Sequence, residues 1–129
     1  MEPFIKPKII IDEDVQKQLK EVTDVEAQVI VHCSFYASSP LDRFRIWPTT
    51  YLIDRESGQK SRLLHAENVP FSPYWKIAET VGKHQFTLVF ERLNRSCSSF
   101  DLVEVIAEAG AFEVRDIMRN QTDVYNVDL

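Results

Sequence analysis

The chain lacks every short pattern from which chemistry is ordinarily read. No nucleophile motif, metal-ligand cluster or phosphate-binding loop occurs in its 129 residues. Its three histidines, His32, His65 and His84, have no second ligand at metal-site spacing, and a metal centre needs three or four convergent donors. No cofactor or metal is therefore expected. Long hydrophobic runs are missing too. Nothing approaches the roughly 18 apolar residues that span a bilayer, so no membrane partner is expected. The first eight residues, Met1 to Lys8, have no basic stretch leading into an apolar one. A signal peptide needs both. With Met1 as the natural start, the expected location is the cytoplasm.

Clustered positive charge is also absent. The net charge is −5 and the pI is near 5.2. Arg43, Arg45 and Arg62 come closest to a basic group, and acids flank them. Phosphate backbones require concentrated Lys and Arg, so nucleic acid is not an expected partner. Only two cysteines occur, Cys33 and Cys97. A reducing cytoplasm keeps both as thiols, although spacing alone leaves a bridge open. Cys33 lies in an apolar alternation and is expected to be buried. Cys97 lies in the polar stretch Asn94–Ser99 and is expected to be accessible. Neither shows the base and the electropositive setting that a thiolate nucleophile needs. Asp101 and Glu104, three apart on a strand, point to opposite faces and do not form a carboxylate pair. Asn94-Arg95-Ser96 and Asn120-Gln121-Thr122 fit the glycosylation pattern, but without a secretory signal they read as chance matches.

What is present is a sheet-forming pattern, in a chain of common single-domain size. At 44% hydrophobic and 27% charged, the composition suits one folded domain over 1–129. From Glu26 to Tyr36, Ala27, Val29, Val31, Cys33 and Phe35 share one face, and Gln28, Ile30, His32, Ser34 and Tyr36 share the other. Such alternation marks a half-buried strand. Lys8–Asp12 reads as a short strand. Asp14–Val22 is open: Val15, Leu19 and Val22 fall at helical spacing, while Leu19–Val22 equally leads into the following strand. Arg45–Trp47 is short and stops at Pro48. Thr49–Ile53 and Ser61–Ala66 read as a hairpin around Asp54–Gly58, where Asp and Ser bond local backbone and Gly58 supplies positive φ.

Gln85–Glu91 alternates, with Phe86, Leu88 and Phe90 toward the core and Thr87, Val89 and Glu91 away. Phe100–Ile106 and Phe112–Met118 are further strands on either side of Gly110. Val114 and Ile117 break the period of two, which predicts a bulge. Val124, Tyr125 and Val127 suggest a last short strand. About eight strands at this spacing predict an antiparallel β-sandwich or barrel, since the connections are too short for parallel crossovers.

Several segments together carry a resemblance: Ile46–Leu52, Asp54–Gly58, Leu63–Glu67, Phe86–Glu91, Phe100–Glu104 and Phe112–Ile117. Over Gln18 to Met118 the chain resembles uncharacterised small immunoglobulin-like β-sandwich domains of Bacteroides-type bacteria. The resemblance implies an all-β, immunoglobulin-like antiparallel sandwich. It also implies an extended conformation for Leu19–Thr23, and it brings no catalytic residues.

Trp47, Phe71, Tyr74 and Trp75 are the candidate binding residues. Loop aromatics form hot spots for proteins or platforms for sugar rings. The competing expectation is structural, with Trp47 in the core and Tyr74 and Trp75 covering one open end. A non-catalytic module that binds protein is the leading expectation, and a carbohydrate-binding module using the same aromatics is the alternative. Exposed strand edges offer a further route, to a homo-oligomer.

Overall fold

The computed structural model describes residues 27–107 and 110–129. The expectations for Lys8–Asp12, Asp14–Val22 and Leu19–Thr23 lie outside that range. Nine strands are present and no helix occurs among the described residues: β1 (Val29–Ala37), β2 (Arg43–Phe44), β3 (Thr50–Asp54), β4 (Lys60–Glu67), β5 (Lys76–Ile77), β6 (Gly82–Phe90), β7 (Ser99–Glu104), β8 (Glu113–Met118) and β9 (Val124–Asp128). The described residues are all-β, as the alternation predicts.

Seven strands form one sheet in the order β8-β7-β3-β4-β6-β1-β9, while β2 and β5 pair separately. Each pairing is antiparallel except β1 with β9, which is parallel. That corrects the expectation of wholly antiparallel pairing. The inference from short connections fails here because β1 and β9 are far apart in sequence and no direct crossover joins them.

The sheet curls nearly into a barrel. Its two edge strands, β8 and β9, are consecutive in the chain, so a short turn has to carry the chain from one edge to the other. β4 makes the corner. Its first residues, Lys60–Arg62, pair with β3, and Leu63–Glu67 pair with β6, with a register shift between Leu63 and His65. Across the interior, the Phe100 and Tyr125 rings meet edge to face at 4.9 Å.

The core follows the alternation. Val29, Val31 and Cys33 of β1 pack with Phe86, Leu88 and Phe90 of β6 and with Leu52, Phe100 and Leu102 of β3 and β7. Val89 departs from expectation. It is 0% exposed, although it faces away from this cluster. Its cross-strand neighbour is Ile30, which is buried and in turn lies beside Val124. β-Branched side chains side by side across strands shield one another, so the outer face is apolar in this row. It turns polar in the next, where His32 Nδ1 and Thr87 Oγ1 are 2.8 Å apart.

The expected hairpin turn is present. The Asp54 carboxylate accepts from the Glu56 backbone N–H at 3.0 Å and the Ser57 hydroxyl at 2.8 Å, and Gly58 has φ +77°. The bulge is present too. Phe100 pairs with Ile117 and Leu102 with Val114, so the two residues Arg115 and Asp116 stand opposite Asp101 alone.

Cys97 corrects its expectation: it is 4% exposed. Although its sequence neighbours are polar, the side chain turns inward and joins the core cluster. Its Sγ lies 3.3 Å from the Ser99 carbonyl, and the Arg119 guanidinium spans the Asn94 and Cys97 carbonyls. Cys33 is buried as expected, and neither thiol is paired.

Candidate functional site

The four aromatic candidates gather where two segments run side by side beyond the end of the β1–β6 pair. Tyr36 and Ala37 pair with Lys83 and Gly82. The Ala78 and Glu79 amides donate to the Asp42 and Pro40 carbonyls, both at 2.8 Å, and β2 then pairs with β5. Residues 36–45 and 74–83 thus form one bent antiparallel ribbon.

At its far end the ribbon is tied to the body of the domain. The Ile46 amide donates to the Pro70 carbonyl, and the Ser72 amide returns to the Ile46 carbonyl, each at 2.9 Å. The Ser72–Pro73 peptide is cis. These bonds bring Phe71 beside Ile46, and Ile46 is a core residue.

Arg43, Arg45 and Trp47 alternate along the strand and project on the side opposite Phe44 and Ile46. They meet Trp75. The Arg45 guanidinium carbon is 3.8 Å from the centre of the Trp75 ring and 5.1 Å from that of Trp47, and Arg43 is 4.7 Å from Trp75. The result is a ladder of alternating cations and indoles. Guanidinium groups are attracted to the negative faces of aromatic rings. Arg45 Nη1 also donates to the Pro73 carbonyl at 3.3 Å.

A buried carboxylate stands behind the ladder. Glu104 Oε2 accepts from the Trp47 amide at 3.2 Å. Burial pushes the Glu104 carboxyl above its usual range, partly offset by the Trp47 and Phe112 amides and by the charge of Arg45.

The four candidates divide by environment. Phe71 is half-buried and packs against the core, and Trp47 is half-buried beside Arg45. Trp47 is not a core residue, so the structural expectation for it fails. Tyr74 is 72% exposed and Trp75 45%. Around them the ribbon displays Tyr36, Leu41, Ile77 and Val81, all exposed.

Sequence reasoning missed these four, together with Arg43 and Arg45 as ring partners. The period of two through Arg43, Arg45 and Trp47 was a signal that could have found the ladder. Nothing local announced Glu104, which reaches Trp47 only through the fold.

Among the described residues no group of three or more His, Cys, Asp or Glu side chains could hold a metal ion. His65 is 3.4 Å from Glu67, and His84 Nε2 lies against the Thr80 carbonyl at 2.9 Å. Asp101 and Glu104 stay apart. Asp101 engages Arg55 and the Asp116 amide at 2.9 and 2.8 Å, while Glu104 serves Trp47. No family model, curated protein or solved structure matches this chain.

Proposed function

We propose that the domain is a non-catalytic module that binds a protein partner through the ribbon 36–45/74–83. One observation carries this reading. Of the ten exposed large apolar side chains among the described residues, six lie on the ribbon: Tyr36, Leu41, Tyr74, Trp75, Ile77 and Val81. Concentrated exposed apolar surface on a soluble domain is characteristic of a docking site. Tyr, Trp and Arg are also the side chains that dominate interface energetics.

The charge of the ribbon points to the partner's chemistry. Arg43, Arg45, Lys76 and Lys83 outnumber Asp42 and Glu79 there, although the whole chain carries −5. An acidic protein segment with apolar side chains suits such a surface. The ladder supports the reading by holding Trp75 in place before binding, which lowers the side-chain entropy lost on association.

A carbohydrate-binding module is the second reading, favoured by the adjacent and exposed Tyr74 and Trp75. The approach of Arg45 to 3.8 Å counts against it, because a guanidinium then occupies indole surface that a sugar would use. We further propose an immunoglobulin-like sandwich arrangement for the curled sheet. Its support is the corner in β4, which pairs first with β3 and then, past a register shift, with β6. The two unpaired thiols support a reducing compartment for the protein.

Selection of random peptides against the domain, with glycan arrays in parallel, separates the two functional readings. Acidic peptides with apolar residues should emerge. Trp75→Ala should weaken them by about 2 kcal/mol, the scale of a hot spot, while the domain stays folded and its melting temperature falls by only a few degrees. Glycan binding lost in Trp75→Ala, with no peptide selected, would establish the carbohydrate reading instead.

A further inference from the structure

The opposite end of the β1–β6 pair holds a second feature, independent of the ribbon. Ala27 just before β1, the β6–β7 loop and the β8–β9 turn border an open cleft of about 220 Å³ lined by Ala27, Arg92, Leu93, Arg95, Arg119 and Asp123. Three arginines and one aspartate therefore line the same small cleft.

That carboxylate is already committed. Arg119 Nε and Nη2 donate to the two Asp123 oxygens at 3.2 and 3.1 Å, and its Nη1 donates to the Asn94 and Cys97 carbonyls. The Tyr125 hydroxyl adds a further bond to Asp123 at 2.9 Å. Arg119 is thus a fixed wall. Arg92 and Arg95, both exposed, have no ion-pair partner among the described residues.

Holding like charges around one cleft costs free energy through self-repulsion. The chain has 20 acids against 15 Lys and Arg, so acids to neutralise this cleft were plentiful. We propose that the cleft is a binding site for a small oxyanion, a phosphate or carboxylate group, gripped by Arg92 and Arg95 against Arg119.

The chemistry fits. A guanidinium presents parallel N–H donors in a planar fork, which matches two oxygens of either group. Leu93 provides an apolar wall for whatever carries the anion. The volume suits a charged group with a small substituent, since one liquid water takes up about 30 Å³. A polymer would have to present such a group at its end.

The test is titration of the full chain with inorganic phosphate at constant ionic strength, followed by calorimetry and by backbone amide shifts. A parallel arm uses citrate and separates phosphate from carboxylate preference. Saturable binding is expected in at least one arm, with shifts centred on residues 92–97 and 119–123.

The double variant Arg92→Gln/Arg95→Gln should weaken binding at least about tenfold, the scale of one charge-assisted hydrogen bond. Its melting temperature without ligand should hold or rise, because like charges have been removed. The pair Arg92→Lys/Arg95→Lys keeps the charge and loses the fork, so its affinity should fall between the two. Shifts that chloride reproduces equally would overturn the proposal. So would double-glutamine affinity equal to that of the unaltered protein, or no saturation with either anion.

Discussion

Arg45 stacks on Trp75 at 3.8 Å although thirty residues separate them in the chain. Arg45 lies just past β2 and Trp75 just before β5. The contact therefore closes the far end of the ribbon, where the two-residue strands contribute few backbone bonds of their own. Cation–π pairs at partly exposed sites are worth about 0.5–1 kcal/mol. A double-mutant cycle of Arg45→Ala and Trp75→Ala, read by urea denaturation, should give a coupling energy of that size. Strictly additive losses would mean that the stack adds nothing to the ribbon's stability.

Much of the fold was legible from alternation. β1 and β6 follow from a period of two, β3, β4 and β7 to β9 from short apolar runs between turn signals, and the broken period at Val114 and Ile117 signalled the bulge. The parallel β1–β9 pair was not legible, because alternation shows which face a residue takes and not which edge a strand joins. The burial of Val89 was hidden for a related reason. Its shielding comes from Ile30 and Val124 on neighbouring strands, which become neighbours only once the register is known. Proximity of Trp47, Tyr74 and Trp75 was foreseeable only as a list of aromatics. Which arginine meets which ring depends on the pairing of β2 with β5.

Val89 tests the corrected face assignment. Phe90→Ala should cost about 3–5 kcal/mol as a large-to-small core change. Val89→Ala removes two buried methyl equivalents and should cost about 1.5–2.5 kcal/mol. Thr87→Ala gives up a half-buried hydrogen bond to His32 and should cost about 1 kcal/mol. A loss for Val89→Ala near zero in chemical denaturation would return that residue to a solvated face.

Stability should fall on acidification. Burial alone would raise the Asp54 carboxyl, but bonds from the Ser57 hydroxyl and the Glu56 amide hold it below its usual value. Asp101 is likewise lowered against its burial by the Asp116 amide and Arg55. Glu91 is lowered by hydrogen bonds from the Arg62 side chain and amide. A carboxyl with a depressed folded value binds its proton more weakly in the native state. Its contribution is complete above the unfolded value, about pH 4, and is lost as the pH falls through the folded value. Glu104 is raised and acts in the opposite sense, favouring the folded state as it protonates. Three groups against one predict a urea midpoint that drops below about pH 4. Asp54→Asn should flatten that drop, and an unchanged acid limb would remove Asp54 from the account.

Both thiols should be slow to react in the native state. Burial pushes the Cys33 thiol up to about 12 and also raises Cys97, which stands near the Asp54 carboxylate. The thiolate is the reactive form, so both should escape a disulfide reagent near pH 8 and both should react once the chain is denatured. Rapid native labelling of Cys97 would contradict its burial.

The bulge in β8 offers the sharpest test of the sheet's edge. Asp116 takes φ +58°, and its amide donates to Asp101 at 2.8 Å rather than along the strand. The extra residue lets Val114 and Ile117, three apart, both reach the core. It also interrupts an edge that could otherwise pair with another copy. Left-handed backbone costs L-residues roughly 1–2 kcal/mol, and β-branched side chains tolerate it worst. Asp116→Val should therefore lose about 1–2 kcal/mol relative to Asp116→Gly, which keeps the backbone free to adopt this φ. Deleting Asp116 should be far more damaging, because a one-residue slip turns Ile117 outward and Met118 inward. The deleted protein should melt lower and, with a straightened apolar edge, should self-associate in analytical ultracentrifugation. If the deletion melts no lower than Asp116→Gly and stays equally monomeric, the bulge sets neither the burial of Ile117 nor the protection of the edge.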